Sequence, residues 1–107
     1  MTASSHLVEG RLVLTYSQDG LPVGLLTGYE TKQGGIYVEH VIAWRPRVLR
    51  PLLRRGLALA WERGASHVVF HVPRAWERTK ALARLGQDLG FQKYQEDTVY
   101  DYWVLWK

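Results

Sequence analysis

The sequence of 107 residues contains no cysteine, a single methionine and only four prolines. Without cysteine the chain can form no disulfide, no zinc–thiolate site and no thiolate nucleophile. Its apolar runs are interrupted by arginine, glycine or glutamate within a few residues, so none has the length of a membrane-spanning helix. The first six residues, Met-Thr-Ala-Ser-Ser-His, lack the basic and then apolar layout of a signal peptide. We therefore expect a cytoplasmic protein.

The residues that are present are typical of a small folded domain. Hydrophobic residues make up 47% of the sequence and charged residues 22%, which argues against intrinsic disorder. A chain of this length can bury one core with little to spare. We expect residues 1–10 to form a flexible N-terminal segment and residues 11–107 to form a single domain.

Arginine is concentrated in one short segment of a chain whose formal net charge is +4. The segment contains Arg45, Arg47, Arg50, Arg54 and Arg55. Such a cluster has the chemistry to bind phosphate, either of a nucleotide cofactor or of a nucleic acid. It equally suits a solvated helix face. Because no stacking aromatic residues accompany it, nucleic-acid binding is the least favoured of these readings.

Alternating apolar residues predict three strands in the first half of the chain, at residues 11–17, 22–30 and 36–44. Asp19 and Gly20 are a strong hairpin signal between the first two strands. A second turn, rich in glycine, separates the next two. Three strands joined by tight turns predict an antiparallel meander.

The apolar period then becomes helical. Apolar residues recur at helical spacing from Leu49 to Trp61, and Gly64 is placed to end this helix. Pro51 must lie in the first turn because it lacks an amide hydrogen. A buried strand at residues 66–72 follows, so this β-α-β unit predicts a right-handed crossover and a parallel pair of strands.

The remaining sequence predicts a second helix at residues 75–89, in which Arg84 and Asp88 pair one turn apart. Strands at residues 91–95 and 98–106 then form a final hairpin. The predicted fold class is therefore α/β (α+β). It has a mixed, mostly antiparallel sheet with a central β-α-β unit and two helices, in the order βββ-α-β-α-ββ.

The end of the second predicted helix resembles a family signature. Residues 85–91 read Leu-Gly-Gln-Asp-Leu-Gly-Phe, which is similar to the L-Y-x-x-x-G-F segment of the Gcn5-related N-acetyltransferase (GNAT) family. The order of elements over residues 11–107 also resembles that family. The resemblance implies a GNAT fold and transfer of an acyl group from acetyl-CoA to an amine.

In the family that this sequence resembles, acetyl-CoA lies between the fourth and fifth strands. A glycine-containing loop at a helix N-terminus binds its pyrophosphate through backbone amides. The corresponding residues here, 45–51, include two prolines and no glycine. We expect that the usual backbone cradle is absent and that arginine side chains partly replace it. The cofactor-binding positions implied by the resemblance are Arg45, Arg47, Val48, Leu49 and Arg50.

The resemblance also implies a base for the amine and a tyrosine that protonates the departing thiolate. Glu39 or His40 on the third predicted strand is the candidate base, and strand alternation allows only one of them to face the cleft. Each also has a structural reading, as a solvent-side strand residue or a partly buried histidine. Gly86 occupies the tyrosine position of the motif, so Tyr94 and Tyr37 are the nearest candidates for the acid.

His67 and His71 are four residues apart in one predicted strand and therefore share a face. A metal site would need further ligands, and no Asp, Glu or Cys lies nearby in the sequence to complete the set. We therefore predict two structural histidines and no metal site.

One wall of the acceptor site is missing from this sequence if the resemblance holds. The family usually begins with a strand and two helices that form this wall, and ten residues cannot supply them. A reduced enzyme would need a partner or a second copy. The last strand, Tyr100–Trp106, is aromatic on both faces, so we expect a protein partner or self-association there, with core packing as the alternative. We expect no membrane contact.

Two functions follow from these observations. The first is an acyl-CoA-dependent N-acetyltransferase-like protein that is weak or inactive. The second is a non-catalytic structural or interaction module that uses the GNAT fold. Reduced proteins of this kind resemble products of tailed bacteriophages, including virion components, which would place the protein in the host cytoplasm or the virion.

Overall fold

The computed structural model of the protein describes residues 2–107, which form one seven-stranded sheet and two α-helices. The strands are β1 (Thr2–Val8), β2 (Arg11–Gln18), β3 (Leu21–Glu30), β4 (Ile36–Ala43), β5 (His67–Pro73), β6 (Gln92–Glu96) and β7 (Tyr100–Trp106). The helices are α1 (Leu49–Glu62), which follows a short 3-10 helix at Pro46–Val48, and α2 (Thr79–Asp88).

The strand order across the sheet is β1-β2-β3-β4-β5-β7-β6. β4 and β5 run parallel, and the other neighbouring strands run antiparallel. α1 connects the parallel pair, which is the β-α-β unit that the sequence predicts. The predicted fold class, a mixed and mostly antiparallel sheet with a central β-α-β unit and two helices, is confirmed.

Two tight turns near the start of the chain share one backbone conformation. Asp19 and Gly20, between β2 and β3, have φ of 54° and 81°, and Glu9 and Gly10, between β1 and β2, have φ of 50° and 81°. Positive φ at both central residues is characteristic of the type I′ turn of two-residue hairpins. The Asp-Gly turn is predicted from sequence. The Glu-Gly turn is not, because glutamate is uncommon at positive φ.

The first hairpin corrects the prediction that residues 1–10 form a flexible segment outside the domain. Thr2–Val8 pair along their length with β2 and make β1 an edge strand of the sheet. Its side chains are mostly exposed, so no buried alternation marks the strand in the sequence. Residue 1 lies outside the described part of the chain.

The helix boundaries agree with the sequence for α1 and differ for α2. Pro51 lies in the first turn of α1, and Gly64 beyond its C-cap has φ of 83°, as predicted. α2 begins at Thr79 rather than at residue 75, because the amides of Trp76 and Thr79 donate to the carbonyls of Pro73 and Trp76 in two successive turns. No described helix has the length and hydropathy needed to span a membrane.

An ion pair between the two helices replaces the pair predicted within α2. Asp88 Oδ2 accepts a hydrogen bond from Nη2 of Arg50 at 3.3 Å, whereas the sequence predicts Arg84 as its partner. The two side chains are about half exposed, so the pair adds little to stability and serves mainly to link α2 to α1.

Both helices pack on the same face of the sheet, which we call the helix-covered face. Leu52 of α1 is fully buried and lies in one core cluster with Leu14 and Leu26. Leu82 of α2 packs against the neighbouring cluster that contains Val72. Full burial of one such side chain contributes about 1.5–3 kcal/mol. The core of the protein therefore lies on this side.

The opposite face of the sheet, which we call the open face, carries a continuous row of aromatic side chains. Ring centroids are 5.2 Å apart for Tyr29 and Tyr37, 5.3 Å for Tyr37 and His71, and 4.5 Å for His71 and Tyr100. Tyr102 and Tyr94 extend the row to β7 and β6. This aromatic row crosses five strands on the side where neither α1 nor α2 packs. It consists of Tyr29, Tyr37, His71, Tyr100, Tyr102 and Tyr94.

Candidate functional site

The two parallel strands diverge soon after they begin. Within residues 2–107, β4 and β5 pair at Ile36 with Val68 and at Tyr37 with Val69 and nowhere further along. Beyond these pairs a cleft of about 930 Å³ opens between the strands. Its lining residues come from both faces of the sheet, so the cleft connects the helix-covered face to the open face.

Most of the cleft wall is apolar. α1 contributes Leu49, Leu53 and Gly56, and α2 contributes Ala81 and Leu82. The ionisable side chains of the wall are Glu39, His40, His71, Arg78 and Tyr100. An apolar passage with a few polar groups is the usual form of a small-molecule site.

A β-bulge in β4 brings the two predicted base residues to the same cleft. Thr27 of β3 pairs with His40 and Gly28 pairs with Val38, so Glu39 is the extra residue of the bulge. Both Glu39 and His40 line the cleft. The prediction that only one of them can face it is therefore wrong, because the bulge interrupts the alternation of side chains along the strand.

Contacts with neighbouring strands fix both of these residues. Arg11 Nε donates to Glu39 Oε1 at 2.7 Å, and this hydrogen bond, together with the carboxylate charge, raises the pKa of the Arg11 guanidinium. The Glu39 side chain is only 16% exposed. His40 is exposed, and its Nδ1 lies 3.1 Å from Oγ1 of Thr27. Both side chains stand at the end of the cleft that meets the open face.

A further pair, His71 with Tyr37, lies beside the point where β4 and β5 separate. The Tyr37 hydroxyl lies 3.1 Å from Nε2 of His71 and also contacts Nδ1. The His71 ring packs edge-on against Tyr100 with centroids 4.5 Å apart, and both residues line the cleft. Sequence spacing indicates the face that His71 occupies, but it does not show that Tyr37 lies opposite.

Neither tyrosine candidate is among the described residues that line the cleft, and Tyr37 reaches it only through its contact with His71. Tyr94 lies on β6, two strands away from β5, and is 54% exposed. Gly86, at the tyrosine position of the motif, is buried, and a Cβ there would lie 3.5 Å from Cζ of Phe70. The Phe70 ring therefore occupies space that a tyrosine side chain would need.

The backbone before α1 is engaged in a 3-10 turn. The Val48 amide donates to the Arg45 carbonyl at 3.0 Å, and the Leu49 amide donates to the Pro46 carbonyl. The Val48 side chain is buried against Gly24, where a Cβ would lie 2.8 Å from Val48 Cγ1. Two of the five predicted cofactor positions thus have their amides bound within the turn, and Leu49 directs its side chain to the cleft wall.

The three predicted arginine ligands differ in their surroundings. Arg45 and Arg47 are exposed on the segment that precedes α1, next to cleft-lining residues. Arg50 is exposed as well and pairs with Asp88 of α2. Arg45 and Arg47 are therefore the better placed of the three for a phosphate group.

The rim of the cleft next to α2 contains a further arginine that sequence reasoning does not identify. Arg78, the N-cap residue of α2, lines the cleft. The sequence predicts a second helix that already begins at residue 75, so it gives no indication that Arg78 lies at the start of the helix and at the mouth of a cleft. Two cleft-lining tryptophans, Trp44 and Trp76, are 55% and 46% exposed on opposite rims.

His67 lies away from the cleft wall and is packed within the sheet. Its Nδ1 lies 2.8 Å from Oγ of Ser66, and its ring packs on Trp106 with centroids 4.5 Å apart. It is buried, and these contacts fit the structural role that the sequence predicts. Among residues 2–107, no group of three or more His, Asp or Glu side chains is arranged to hold a metal ion.

In a comparison by sequence, no family model and no curated protein matches the chain. Comparison by structure finds acetyltransferases. An IAA acetyltransferase from Bacillus cereus gives a TM-score of 0.81 at 13% identity, over 92% of this chain and 79% of its own. The N-acetyltransferase PseH of Campylobacter jejuni in complex with acetyl coenzyme A gives 0.77 at 17% identity, over 94% and 70%. A GNAT-family protein from Desulfovibrio desulfuricans gives 0.76 at 14% identity, over 91% and 69%.

These superpositions define the fold as that of the GNAT acetyltransferases, which the sequence predicts. The chain spans between 64% and 79% of the length of such structures. The sequence predicts that this chain lacks the two helices that follow the first strand in the family it resembles, and the turn at Glu9 and Gly10 joins β1 directly to β2.

Proposed function

We propose that the protein is an N-acyltransferase that takes acyl-CoA into the cleft between β4 and β5. The observation that carries the proposal is a cleft that crosses the sheet and ends among Glu39, His40 and His71 at the open face. The donor enters between the helices, and the amine approaches from the open face. The acetyl coenzyme A complex of a protein with this fold supports the donor class.

The reaction joins the amine nitrogen to the thioester carbonyl carbon and breaks the carbon–sulfur bond. The amine loses one proton and the departing thiolate gains one. In this proposal His71, one of the cleft-lining residues, accepts the amine proton, and the Tyr37 hydroxyl, which contacts the His71 ring, supplies a proton to the thiolate. Transfer of a proton from His71 to Tyr37 then restores both groups.

Glu39 and His40, the bases that the resemblance implies, have different roles in this proposal. The Glu39 carboxylate is bound by Arg11, and the His40 ring is oriented by Thr27. Both are therefore positioned to orient the acceptor amine at the open face rather than to carry the proton. We expect His71→Gln to lower turnover more than Glu39→Gln or His40→Gln does.

Donor affinity is expected to be low. Because the amides of Val48 and Leu49 are engaged within the turn, binding of the pyrophosphate falls to arginine side chains. Arg78 lines the cleft, and Arg45 and Arg47, which are exposed on either side of the lining residue Pro46, are the further candidates for this role. The apolar wall of the cleft suits the pantetheine arm of the donor.

Thermal melting with acetyl-CoA tests the proposal. A ligand at 100 times its Kd adds about 2.7 kcal/mol of stability, which raises the Tm of a domain of this size by roughly 10 °C. With a panel of amines, thiol release should fall about 100-fold in His71→Gln. The melting shift with acetyl-CoA should remain in that variant.

His6→Gln, on the exposed edge strand β1, is the matched control and should behave as the unsubstituted protein. A melting temperature that does not move with millimolar acetyl-CoA would contradict donor binding. Full turnover in His71→Gln would contradict the assignment of the base.

A second candidate function is a non-catalytic interaction module, for example a virion or assembly component of a phage. The observation that favours it is the open face, on which Trp106 is 65% exposed and Tyr29 and Ile42 are also exposed. Exposed aromatic patches tend to mark interfaces, and Tyr100–Trp106 is the strand expected to bind a partner or a second copy. Sedimentation should then show an assembly that Trp106→Lys dissociates, and a monomer at all concentrations would contradict self-association.

A further inference from the structure

The mouth of the cleft lies between the segments that precede the two helices. Trp44 and Pro46 line the rim next to α1, and Trp76 and Arg78 line the rim next to α2. Past this mouth the wall becomes leucine-rich. A long, thin and mostly apolar group could therefore pass from the mouth to the open face, with a charged group left at the mouth.

Backbone groups at the mouth offer little to a nucleotide diphosphate. The amides of Val48 and Leu49 are bound within the 3-10 turn, and Pro46 and Pro51 have no amide hydrogen. A free nucleotide ligand would thus depend on exposed, flexible arginines, whose ordering costs conformational entropy.

The surface next to this mouth is strongly basic. Arg47, Arg50 and Arg54 are spaced i, i+3 and i+7 along the 3-10 helix and α1, and all three are exposed. We call these three residues the arginine row. In the described part of the chain, Asp88 is the one carboxylate that pairs with a member of the row, through Arg50. The row therefore presents net positive charge from the mouth along α1.

We propose that the acyl donor of this cleft is a thioester on the phosphopantetheine arm of an acidic carrier protein that docks on the arginine row. The proposal rests on the proposed function, because it concerns the donor of the same reaction. The amine nitrogen bonds to the carbonyl carbon, the carbon–sulfur bond breaks, and the amine proton ends on the carrier's thiol. The arm carries one phosphate, for which Arg78 lines one rim and Arg45 is exposed between the rim residues Trp44 and Pro46 on the other side.

Charge complementarity suits an acidic protein surface that extends along the arginine row beyond the mouth. An acidic surface opposite Arg47 and Arg54 increases the association rate and selects the partner. Docking also holds the tethered thioester near the cleft. Entry of the thioester into the cleft is then an intramolecular step, for which the effective concentration of the thioester is high. These two effects compensate for the engaged amides, which weaken the binding of a free nucleotide.

The experiment compares the full chain with one acidic acyl carrier protein in three forms: without its arm, with the free arm and with the acetylated arm. Binding is measured by fluorescence anisotropy at about 50 mM and at about 200 mM salt, because rim charges are screened. Arg47→Glu/Arg54→Glu reverses the row. Ala81→Trp fills the cleft wall and leaves the row intact.

Lys32→Glu is the matched charge reversal, since Lys32 is exposed in the turn before β4, at the opposite end of that strand from the mouth. We expect binding at least about tenfold tighter with the arm than without it. Arg47→Glu/Arg54→Glu and Ala81→Trp should each weaken binding by about tenfold, and Lys32→Glu should not. Acetyl transfer to an amine should be faster from the carrier than from acetyl-CoA at equal concentration.

The contradicting results separate this proposal from the proposed function. Turnover of acetyl-CoA as fast as that of the acetylated carrier would overturn the carrier proposal and leave the acyltransferase intact. Equal binding of the carrier with and without its arm would also overturn it, as would displacement of the carrier by an RNA oligomer from the same arginines. Failure of acetyl-CoA alone would contradict only acyl-CoA as the donor, and failure of both donors to bind or react would refute the acyltransferase function itself.

Discussion

At the scale of single residues, Gly35 and His67 form a contact that leaves no space for a side chain. A Cβ at Gly35 would overlap the His67 ring, which is held between Trp106 and the hydroxyl of Ser66. The His67 ring is buried, so it cannot move aside without disturbing this packing. Glycine is therefore required by close approach and not by turn geometry at this position.

We expect Gly35→Ala to destabilise the protein by about 1–3 kcal/mol through overpacking. Urea unfolding of Gly35→Ala, of His67→Ala and of the double variant measures the effect. The double variant should be more stable than the sum of the two single losses predicts, because the clash disappears with the ring. If the stability losses of the two single variants add strictly in the double variant, the His67 ring does not restrict the side chain at residue 35.

Asp97 caps the turn between β6 and β7. Its carboxylate accepts hydrogen bonds from the amide of Tyr100 at 2.7 Å, the hydroxyl of Tyr102 at 2.7 Å and the amide of Val99 at 2.8 Å. These three bonds, the one from Tyr100 first, lower the pKa of Asp97 in the folded protein. The same contact with Asp97 raises the pKa of Tyr102.

A lowered carboxyl pKa stabilises the fold above the unfolded value, about 3.9, and this stabilisation is lost as pH falls through the folded value. We therefore expect the unfolding midpoint in urea to fall as pH drops below about 4. In Asp97→Asn the midpoint should depend less on pH. The dependence that remains should come in part from Glu96, because the hydrogen bond from Lys93 lowers the pKa of that carboxyl. Asp88→Asn is the matched control, and an unchanged pH profile in Asp97→Asn would contradict the role of the cap.

At the scale of elements, the β1–β2 hairpin begins the sheet without the pair of helices that the sequence predicts to be missing. Its turn requires a positive φ of 50° at Glu9, and the β2–β3 turn has a similar φ of 54° at Asp19. This conformation is sterically unfavourable for a non-glycine residue, and it is least unfavourable for asparagine and aspartate. Glu9 is thus the less favourable residue of two otherwise alike turns.

We expect Glu9→Asn to stabilise the hairpin by up to about 1 kcal/mol. Amide hydrogen exchange on β1 and urea unfolding both report the change. Glu9→Gln is the control, because it removes the charge without improving tolerance of positive φ. Equal stabilisation by both variants would attribute the gain to charge rather than to backbone conformation.

Element boundaries that depend on tertiary contacts are the ones that the sequence predicts poorly. The two turns at Trp76 and Thr79 move the start of α2 by four residues and leave Trp76 at the cleft mouth rather than inside the helix predicted from residue 75. The bulge at Glu39 is likewise invisible in a strand pattern, because it is defined by the register against Thr27 and Gly28. By contrast, Gly64 marks the end of α1 from sequence alone, since its signal is local.

At the scale of the whole molecule, the two faces of the sheet differ in what they contribute to stability. Both helices pack on the face of the sheet that contains Leu14, against which Leu52 of α1 is buried, while Ile42 is exposed on the open face beside Leu25. Stability should therefore come mainly from the helix-covered face. The open face is available for a substrate or a partner.

We expect Leu52→Ala to cost about 2–5 kcal/mol, because it leaves a cavity in the core. Ile42→Thr should cost less than about 1 kcal/mol in the monomer, since the residue is partly exposed. Urea unfolding at two protein concentrations measures both losses of stability and shows whether either of them depends on self-association. A large loss in Ile42→Thr that depends on protein concentration would indicate that an assembly buries the open face.

The sequence by itself determined the fold class, the turn at Asp19, the end of α1 at Gly64 and the parallel pairing that α1 connects. These follow from period, turn chemistry and connection handedness, which act over a few residues or over one β-α-β unit. The GNAT-like motif at residues 85–91, which likewise spans only a few residues, supported the prediction of the fold.

Only the tertiary structure decided what lies in the cleft. His71 meets Tyr37 across 34 residues of sequence, Glu39 and His40 share the cleft through a bulge, and Arg78 reaches its rim because α2 starts late. Each of these depends on strand order and register, which hydrophobic patterning specifies only to within a face. For that reason the chemistry of the site could not be read from residue spacing.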